Sequence, residues 1–202
     1  PNWDQFSGAL LLETSRGDDI FTSTCVVINA TTLITAAHSV EDVEHSFVHL
    51  GKSYDQKTGK RLKVIKTYIH PDYDKSTSNY KNDIAVIKLA HPLPMWVRTY
   101  YITSLVPTNL ERVGFGARDN KNLRTWTHVE LKNKCEKYLI LEDWCSVIGD
   151  SGGPLFCNRK GNYDLVAIHS TLEGDHTTYA TRLAYYRDWI EEKATSFFLL
   201  EA

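Results

Sequence analysis

The sequence predicts an all-β protein that is completed by one C-terminal helix. Short runs rich in Val, Ile, Thr, Leu and aromatic residues recur along the chain, and turn residues such as Gly17, Asn29 and Gly116 separate them. Many short strands at this spacing are typical of β-barrels or of a β-sandwich. The predicted strands are residues 9–13, 21–28, 32–35, 46–50, 62–69, 84–89, 112–115, 154–157, 163–169 and 177–183.

One segment near the end of the chain differs from this pattern. Residues 185–194 place Trp189 and Ile190 among five charged side chains, which predicts an amphipathic helix. Upstream, Pro92, Pro94 and Pro107 cluster between two groups of predicted strands, which indicates a boundary between two lobes.

Length, composition and charge exclude several classes of protein. A chain of 202 residues with 42% hydrophobic residues is long enough for one compact unit or two small lobes with a proper core. The 23 basic and 25 acidic residues give a net charge of −2, so the sequence lacks the basic surface that nucleic-acid binding needs. No apolar run approaches the roughly 20 residues of a membrane span. We therefore expect neither a nucleic-acid partner nor a membrane partner.

The four cysteines, Cys25, Cys135, Cys145 and Cys157, allow three pairings, and the sequence alone does not choose among them. Their number fits an exported enzyme with one or two disulfide bonds, and equally a protein with reduced thiols. The chain starts at Pro1 without a recognisable signal peptide, which indicates a processed or shortened protein. The expectation is a secreted or otherwise extracytoplasmic protein.

Three short motifs carry the residue types needed for nucleophilic acyl transfer. They are TAAH at residues 35–38, NDIAV at residues 82–86 and GDSGGP at residues 149–154. Acyl transfer needs a hydroxyl nucleophile, a base that takes its proton and a carboxylate that holds the base in one tautomer. Ser151, His38 and Asp83 supply these groups. The glycines around Ser151 allow the close backbone approach that an oxyanion-binding site requires.

A second family of hydrolases places a serine in a similar motif. The pattern Gly149-x-Ser151-x-Gly153 also matches the nucleophile elbow of α/β-hydrolases. That fold orders its triad as serine, acid and histidine, whereas this chain has His38, then Asp83, then Ser151. Strands rather than alternating strands and helices surround the motifs, so we reject the elbow interpretation.

Taken together, TAAH, DIAVIKL and GDSGGP resemble the signature blocks of the chymotrypsin/trypsin-like serine proteases, over about residues 6–193. The resemblance implies two six-stranded antiparallel β-barrels with the active site in the cleft between them. It implies a single peptidase domain over residues 1–202, with lobes at about 1–95 and 96–184 and a C-terminal helix at about 185–195.

The resemblance also assigns roles to individual residues of the three motifs. It makes His38 the general base and then the general acid, Asp83 the group that orients it, and Ser151 the nucleophile. The backbone N–H groups of Gly149 and Ser151 would form the oxyanion hole. The implied enzyme is a serine endopeptidase that works through an acyl-enzyme, without a metal or an organic cofactor. Its partners would be protein or peptide substrates and protein inhibitors.

Two features of the chain depart from the family pattern. Family members usually bridge a cysteine after the catalytic histidine to one on the preceding strand; Cys25 is present, but Ser39 replaces its partner. The resemblance leaves Cys135 with Cys145, or Cys135 with Cys157, as substitutes. In many relatives the aspartate before the serine, here Asp150, binds an amino terminus released by cleavage. Pro1 lies close to the first strand, so either the natural terminus has been removed or Asp150 is satisfied in another way.

The pocket for the substrate side chain before the scissile bond (P1) has an unusual base. The resemblance places Cys145 there, where enzymes that cut after Arg or Lys carry Asp, and this disfavours basic substrates. Ser146 and His169 in the pocket wall resemble the glutamyl endopeptidases. A hydroxyl and an imidazole can donate hydrogen bonds to a carboxylate or a carboxamide, so they predict a preference for Glu, Asp or Gln. The other pocket residues implied by the resemblance are Ser170, Leu172 and Thr178.

Three alternatives remain open from the sequence. A small apolar pocket would give an elastase-like preference. An inactive or zymogen-like homologue would act as a binding module and would leave its serine unreactive. A non-proteolytic esterase would hydrolyse esters without cleaving peptide bonds.

Overall fold

The computed structural model of the chain describes residues 1–51 and 60–201. Twelve strands form two closed six-stranded barrels in which neighbouring named strands pair antiparallel, so the predicted fold class is confirmed. The strand order around the first barrel is β1-β2-β3-β6-β5-β4 and around the second β10-β11-β12-β9-β8-β7. The strands are β1 (Ala9–Arg16), β2 (Asp19–Asn29), β3 (Thr32–Thr35), β4 (His45–His49), β5 (Arg61–Ile69), β6 (Ala85–Leu89), β7 (Asn109–Gly114), β8 (Thr125–Lys134), β9 (Tyr138–Glu142), β10 (Pro154–Arg159), β11 (Asn162–Glu173) and β12 (Thr177–Arg182).

Neighbouring residues of β1 and β3 pack into two different cores. Leu10, Leu12 and Leu33 belong to the cluster inside the first barrel, whereas Ala9 and Ile34 belong to a second cluster that joins the two barrels. Successive side chains of a strand point to opposite faces, so these strands are buried on both sides. The ends of such strands are held from both faces. The TAAH motif begins at the last residue of β3, and the NDIAV motif leads into the first residues of β6.

The C-terminal helix packs against the cluster between the barrels. A 3-10 helix (Leu183–Tyr186) leads into α1 (Arg187–Glu201), which is longer than the predicted helix of residues 185–194. Ile190 is buried in the joining cluster. The fully buried ammonium of Lys88, on β6, donates to the carbonyl oxygen of Ala194 at 2.7 Å and so fixes the helix on the first barrel. No helix in the described part of the chain is long and apolar enough to cross a membrane.

Two strands of the second barrel were not predicted from the sequence. In β8 only Val129 is buried, and the other side chains are partly or fully exposed. Most residues of β8 are polar or charged, so the segment lacks the apolar pattern by which the other strands were predicted. The short apolar β9 follows it directly. Pairing with β7 and β12 makes these segments strands, and that pairing joins residues distant in the sequence.

Neither disulfide pairing that the family resemblance left open, Cys135 with Cys145 or Cys135 with Cys157, is present in the structure. Within residues 1–51 and 60–201 all four cysteines are free thiols. Cys25 lies in the core of the first barrel and Cys157 in that of the second, so the two buried thiols are in separate clusters. Burial raises the pKa of both thiols, which keeps them protonated. Cys135 and Cys145 are exposed.

Candidate active site

His38 is presented by a short turn at the end of β3. The 3-10 helix Ala37–Ser39 follows that strand directly, and Ala36 and Ala37 are fully buried beneath it. The side chain of His38 is 23% exposed, so the imidazole faces the cleft while its backbone is fixed by the core.

Asp83 lies just before β6, in a turn of the backbone that the preceding residue, Asn82, stabilises. Asn82 has a φ of 52°, and its side-chain oxygen accepts a hydrogen bond from the hydroxyl of Tyr186 at 2.7 Å. Asp83 is fully buried. The hydroxyl of Thr181, on β12, donates to its backbone oxygen at 3.1 Å, so both barrels contribute to the position of Asp83.

The segment that carries Ser151 needs glycine after it. Gly152 has a φ of +83°, and a Cβ there would overlap the carbonyl oxygen of Thr24 and the hydroxyl of Thr35. The backbone N–H of Thr24 donates to the carbonyl oxygen of Ser151 at 2.9 Å. The nucleophile segment of the second barrel is therefore packed directly onto β2 of the first, with no room for a side chain between them.

The three predicted triad residues form one hydrogen-bonded chain. His38 Nε2 lies 3.0 Å from Ser151 Oγ, and His38 Nδ1 lies 2.6 Å from Asp83 Oδ2. The other carboxylate oxygen, Oδ1, accepts from the backbone N–H of His38 at 2.9 Å. The hydroxyl of Ser170 also donates to Asp83 Oδ2, at 2.6 Å. Three donors thus satisfy a carboxylate that has no contact with solvent.

This geometry selects one tautomer of the imidazole. When Nδ1 carries the proton and donates to Asp83, Nε2 has its lone pair free to accept from the hydroxyl of Ser151. Ser151 Oγ also lies 3.1 Å from the carbonyl oxygen of Ser170, so the hydroxyl proton has a second acceptor within reach. The arrangement can move a proton from the serine to the histidine.

Two backbone donors beside Ser151 are unused. Gly149 has a φ of +105°, and its carbonyl oxygen accepts from the hydroxyl of Thr24 at 2.9 Å, which fixes the orientation of the turn. Among the hydrogen bonds between described residues, neither the N–H of Gly149 nor that of Ser151 has an acceptor. A pair of free N–H groups beside a nucleophile can receive a developing negative charge.

The predicted pocket residues fall into exposed and buried sets. Cys145 is exposed and Leu172 is 52% exposed, whereas His169 and Thr178 are 2% and 0% exposed. His169 Nε2 lies 3.0 Å from Ser146 Oγ. Burial, together with the nearby Arg112 guanidinium, lowers the pKa of His169 to about 4, so the imidazole is neutral at neutral pH.

Two cavities meet at Ile148, which precedes the turn of Gly149. One, of 330 Å³, is lined by His38, Ser151, Phe21 and Glu41 among others. The other, of 690 Å³, is lined by Ser146, Leu172 and Ile148 among others, but not by His169 or Thr178. His169 therefore lies behind Ser146. Among the described residues, no group of three or more His, Cys, Asp or Glu side chains is placed to hold a metal ion.

Sequence reasoning missed two arginines that contact Asp150. Asp150 is fully buried, and its carboxylate lies 3.2 Å from the guanidinium of Arg112 and 3.2 Å from that of Arg118. Of the two explanations left open for Asp150, the structure therefore shows satisfaction by other groups of the same chain. One signal was visible in the sequence, because Arg112 is the only charged residue of the predicted strand at residues 112–115. No feature of the sequence indicated that Arg118 would contact Asp150.

Two six-stranded barrels that contribute a Ser-His-Asp chain to one cleft define a protein of the chymotrypsin fold class. A family model described as "Trypsin" matches residues 4–190, so the chain belongs to the trypsin family of serine proteases.

The chain is similar to two curated relatives. It is 31% identical over 208 residues to "Vitamin K-dependent protein C" of Oryctolagus cuniculus, an alignment that covers 82% of this chain and 45% of that protein. The protein of the same name in Mus musculus is 27% identical over 209 residues, with 82% and 44% covered. The chain thus spans less than half the length of these relatives.

Proposed function

We propose that the chain is an active serine endopeptidase that hydrolyses peptide bonds through an acyl-enzyme. The observation that carries the proposal is the unbroken hydrogen-bonded chain from Ser151 through His38 to Asp83, with both N–H groups beside the serine free. An inactive homologue that serves as a binding module would not need this whole arrangement to be intact.

Catalysis would begin with transfer of the Ser151 hydroxyl proton to His38 Nε2 while Oγ attacks the carbonyl carbon of the substrate. The carbonyl oxygen becomes an oxyanion, which accepts hydrogen bonds from the N–H groups of Gly149 and Ser151. The protonated imidazole then gives its proton to the leaving amine, and the acyl group stays on Oγ. Water, deprotonated by the same imidazole, attacks the ester, and the proton returns to Ser151 as the acid product leaves.

Asp83 acts by holding the imidazole. Its two carboxylate oxygens accept from both the ring Nδ1 and the backbone N–H of His38, so ring and backbone are fixed together. The negative charge of the carboxylate stabilises the imidazolium that forms during attack. Because Asp83 is buried, water weakens this interaction less than it would weaken one between two exposed groups.

The pocket supports a preference for Glu, Asp or Gln at P1 over Arg or Lys. The carboxylate of Asp143, two residues before Cys145, is occupied: both of its oxygens accept from the guanidinium of Arg112. Burial by itself would raise the pKa of Asp143, but the hydrogen bond and charge of Arg112 outweigh it and lower the pKa. A basic substrate side chain would therefore find no free carboxylate there.

Ser146 is placed to recognise an acidic or amide side chain with the help of His169. When the neutral imidazole donates from Nε2 to Ser146 Oγ, the hydroxyl proton of Ser146 is free to donate into the cavity that Ser146 lines. The buried imidazole would fix the direction of this hydroxyl without introducing a net charge.

The test combines active-site labelling with cleavage of a diverse peptide library. A fluorophosphonate should label the wild type on Ser151 and leave Ser151→Ala unlabelled, and only the wild type should cleave peptides. Cuts after Glu, Asp or Gln that decrease in His169→Ala would support the proposed specificity. Cuts after Ala or Val that are indifferent to His169 would overturn the specificity and favour an elastase-like pocket.

Two further results would overturn the proposed activity itself. A folded wild type that remains unlabelled would indicate a binding module. Hydrolysis of esters without cleavage of any peptide would indicate an esterase.

A further inference from the structure

Asp150, the residue immediately before the nucleophile, is held by hydrogen bonds and ion pairs from within the chain. Its Oδ1 accepts from the backbone N–H of Gly116 at 2.8 Å. Its Oδ2 accepts from the backbone N–H of Val147 at 3.0 Å and from Arg118 at 3.2 Å, and lies 3.2 Å from Arg112 Nη1. Three donors surround Oδ2 and one reaches Oδ1, so groups of the chain itself satisfy this fully buried carboxylate.

The charges in this network balance. Arg112 is 1% exposed and lies between Asp143 and Asp150, so by itself it would neutralise only one of the two buried carboxylates. Arg118 supplies the second positive charge. Burial would lower the pKa of Arg112, but the two carboxylates outweigh it and raise the pKa, so Arg112 stays charged. An additional ammonium in the same place would leave an excess buried charge.

Arg118 also ties together the segments on either side of the oxyanion turn. One of its nitrogens, Nη1, donates to the carbonyl oxygen of Gly116 at 3.2 Å and to the hydroxyl of Thr125 at 3.1 Å. The other, Nη2, donates to the carbonyl oxygen of Cys145 as well as to Asp150. Its side chain is 31% exposed, so it can be replaced without opening the core.

We propose that Arg112 and Arg118 are positioning residues that hold Asp150, and through it the turn of Gly149 and Ser151, in the conformation that receives an oxyanion. The inference rests on the proposed function. It means that the active site is assembled by this internal pair of arginines and does not require an amino terminus released by cleavage. Arg118 is the better of the two arginines to replace, because its side chain is partly exposed whereas Arg112 is buried.

The first experiment compares the rates of fluorophosphonate labelling of the wild type, Arg118→Ala and Arg118→Lys. Loss of a charged hydrogen bond to Asp150 should slow labelling of Arg118→Ala by about tenfold or more. Arg118→Lys should label faster than Arg118→Ala but more slowly than the wild type. Guanidinium chloride at a low, non-denaturing concentration should restore part of the labelling rate of Arg118→Ala. Sodium chloride at the same concentration should not. The matched control is Arg159→Ala, which removes an exposed arginine that pairs with Asp164 and should label at the wild-type rate.

A second arm tests independence from the amino terminus. The wild type carrying a short glycine-serine extension before Pro1 should label at an unchanged rate. Loss of labelling in the extended protein, or equal rates in Arg118→Ala and the wild type, would overturn the inference.

Amide hydrogen exchange separates failure of this inference from failure of the proposed function, since it needs no activity. Peptides covering residues 145–151 should exchange faster in Arg118→Ala than in the wild type, and a peptide from β10 should not change. If the wild type does not label, the proposed function is wrong, and the exchange result still decides the inference. Unchanged exchange at residues 145–151 would overturn it.

Discussion

The imidazole of His169 and the hydroxyl of Ser146 lie 3.0 Å apart, joined through Nε2 and Oγ. His169 is buried on β11, whereas Ser146 borders an open cavity. The other ring nitrogen, Nδ1, is buried without a hydrogen-bond partner among the described residues. A buried imidazole with one bonded nitrogen is best accommodated in its neutral form, in agreement with its lowered pKa.

This relationship predicts a dependence of stability on pH. The pKa of His169 is about 4 in the folded protein against an ordinary value of 6.5, so the unfolded chain binds the proton more readily. The contribution of His169 to the free energy of unfolding is fully present above about pH 6.5. It is lost as the pH falls to about 4, a loss of about 3 kcal/mol. Urea unfolding between pH 7.5 and pH 4 should show this slope, and His169→Gln should flatten it. His45→Gln, at an exposed histidine, is the control; an unchanged slope in His169→Gln would contradict the assignment.

Asp83→Asn should reduce kcat/KM by about 10⁴-fold, because an amide no longer fixes the tautomer of His38 or stabilises its charged form. Peptide hydrolysis measures the change, and thermal unfolding checks that the fold is retained. Asp72→Asn, at an exposed carboxylate, should leave kcat/KM within twofold of the wild type. A reduction of less than about tenfold in Asp83→Asn would contradict the proposed role of Asp83.

Ser170→Ala tests the third donor to the buried carboxylate. Its hydroxyl lies 2.6 Å from Asp83 Oδ2, so removal leaves that oxygen with one donor fewer and should cost about 1–3 kcal/mol of unfolding free energy. We also expect kcat to fall by about tenfold, because the carboxylate that orients His38 is less firmly held. Thr181→Val is the comparison, since its hydroxyl donates to the backbone oxygen of Asp83 instead. Equal kcat values for wild type and Ser170→Ala would refute this expectation.

Gly152→Ala should destabilise the protein by about 3 kcal/mol and abolish labelling of Ser151, because the new Cβ would overlap the backbone of β2. Gly161→Ala provides a matched control. Gly161 has a similar φ of +87° in the β10–β11 turn but nothing within 4 Å of its Cβ position, so only the backbone strain of about 1 kcal/mol applies. Similar losses in the two variants, measured by urea unfolding, would show that the close approach to β2 is unimportant.

The apolar strands could be predicted because their side-chain pattern is local. The predicted strand at residues 32–35 agrees with β3, and the run at residues 62–69 differs from β5 by one residue at its start. In β8 the pattern is mostly polar, and the strand exists because it pairs with β7 and β9, which no local pattern reveals. Neither of the two disulfide pairings left open, Cys135 with Cys145 or with Cys157, is present, and the number of cysteines could not show which thiols the fold would leave free.

The sequence by itself determined the three motifs, the order of the triad residues and the need for glycine around Ser151, since motif chemistry and backbone freedom are properties of neighbouring residues. Only the tertiary structure brought Arg112, from β7, and Arg118, from the connection that follows it, onto Asp150. It also placed His169 behind Ser146. These contacts are between residues far apart in the sequence, which closure of the barrel brings together. A buried charge needs a partner of opposite charge, and the fold decides which distant residue supplies it.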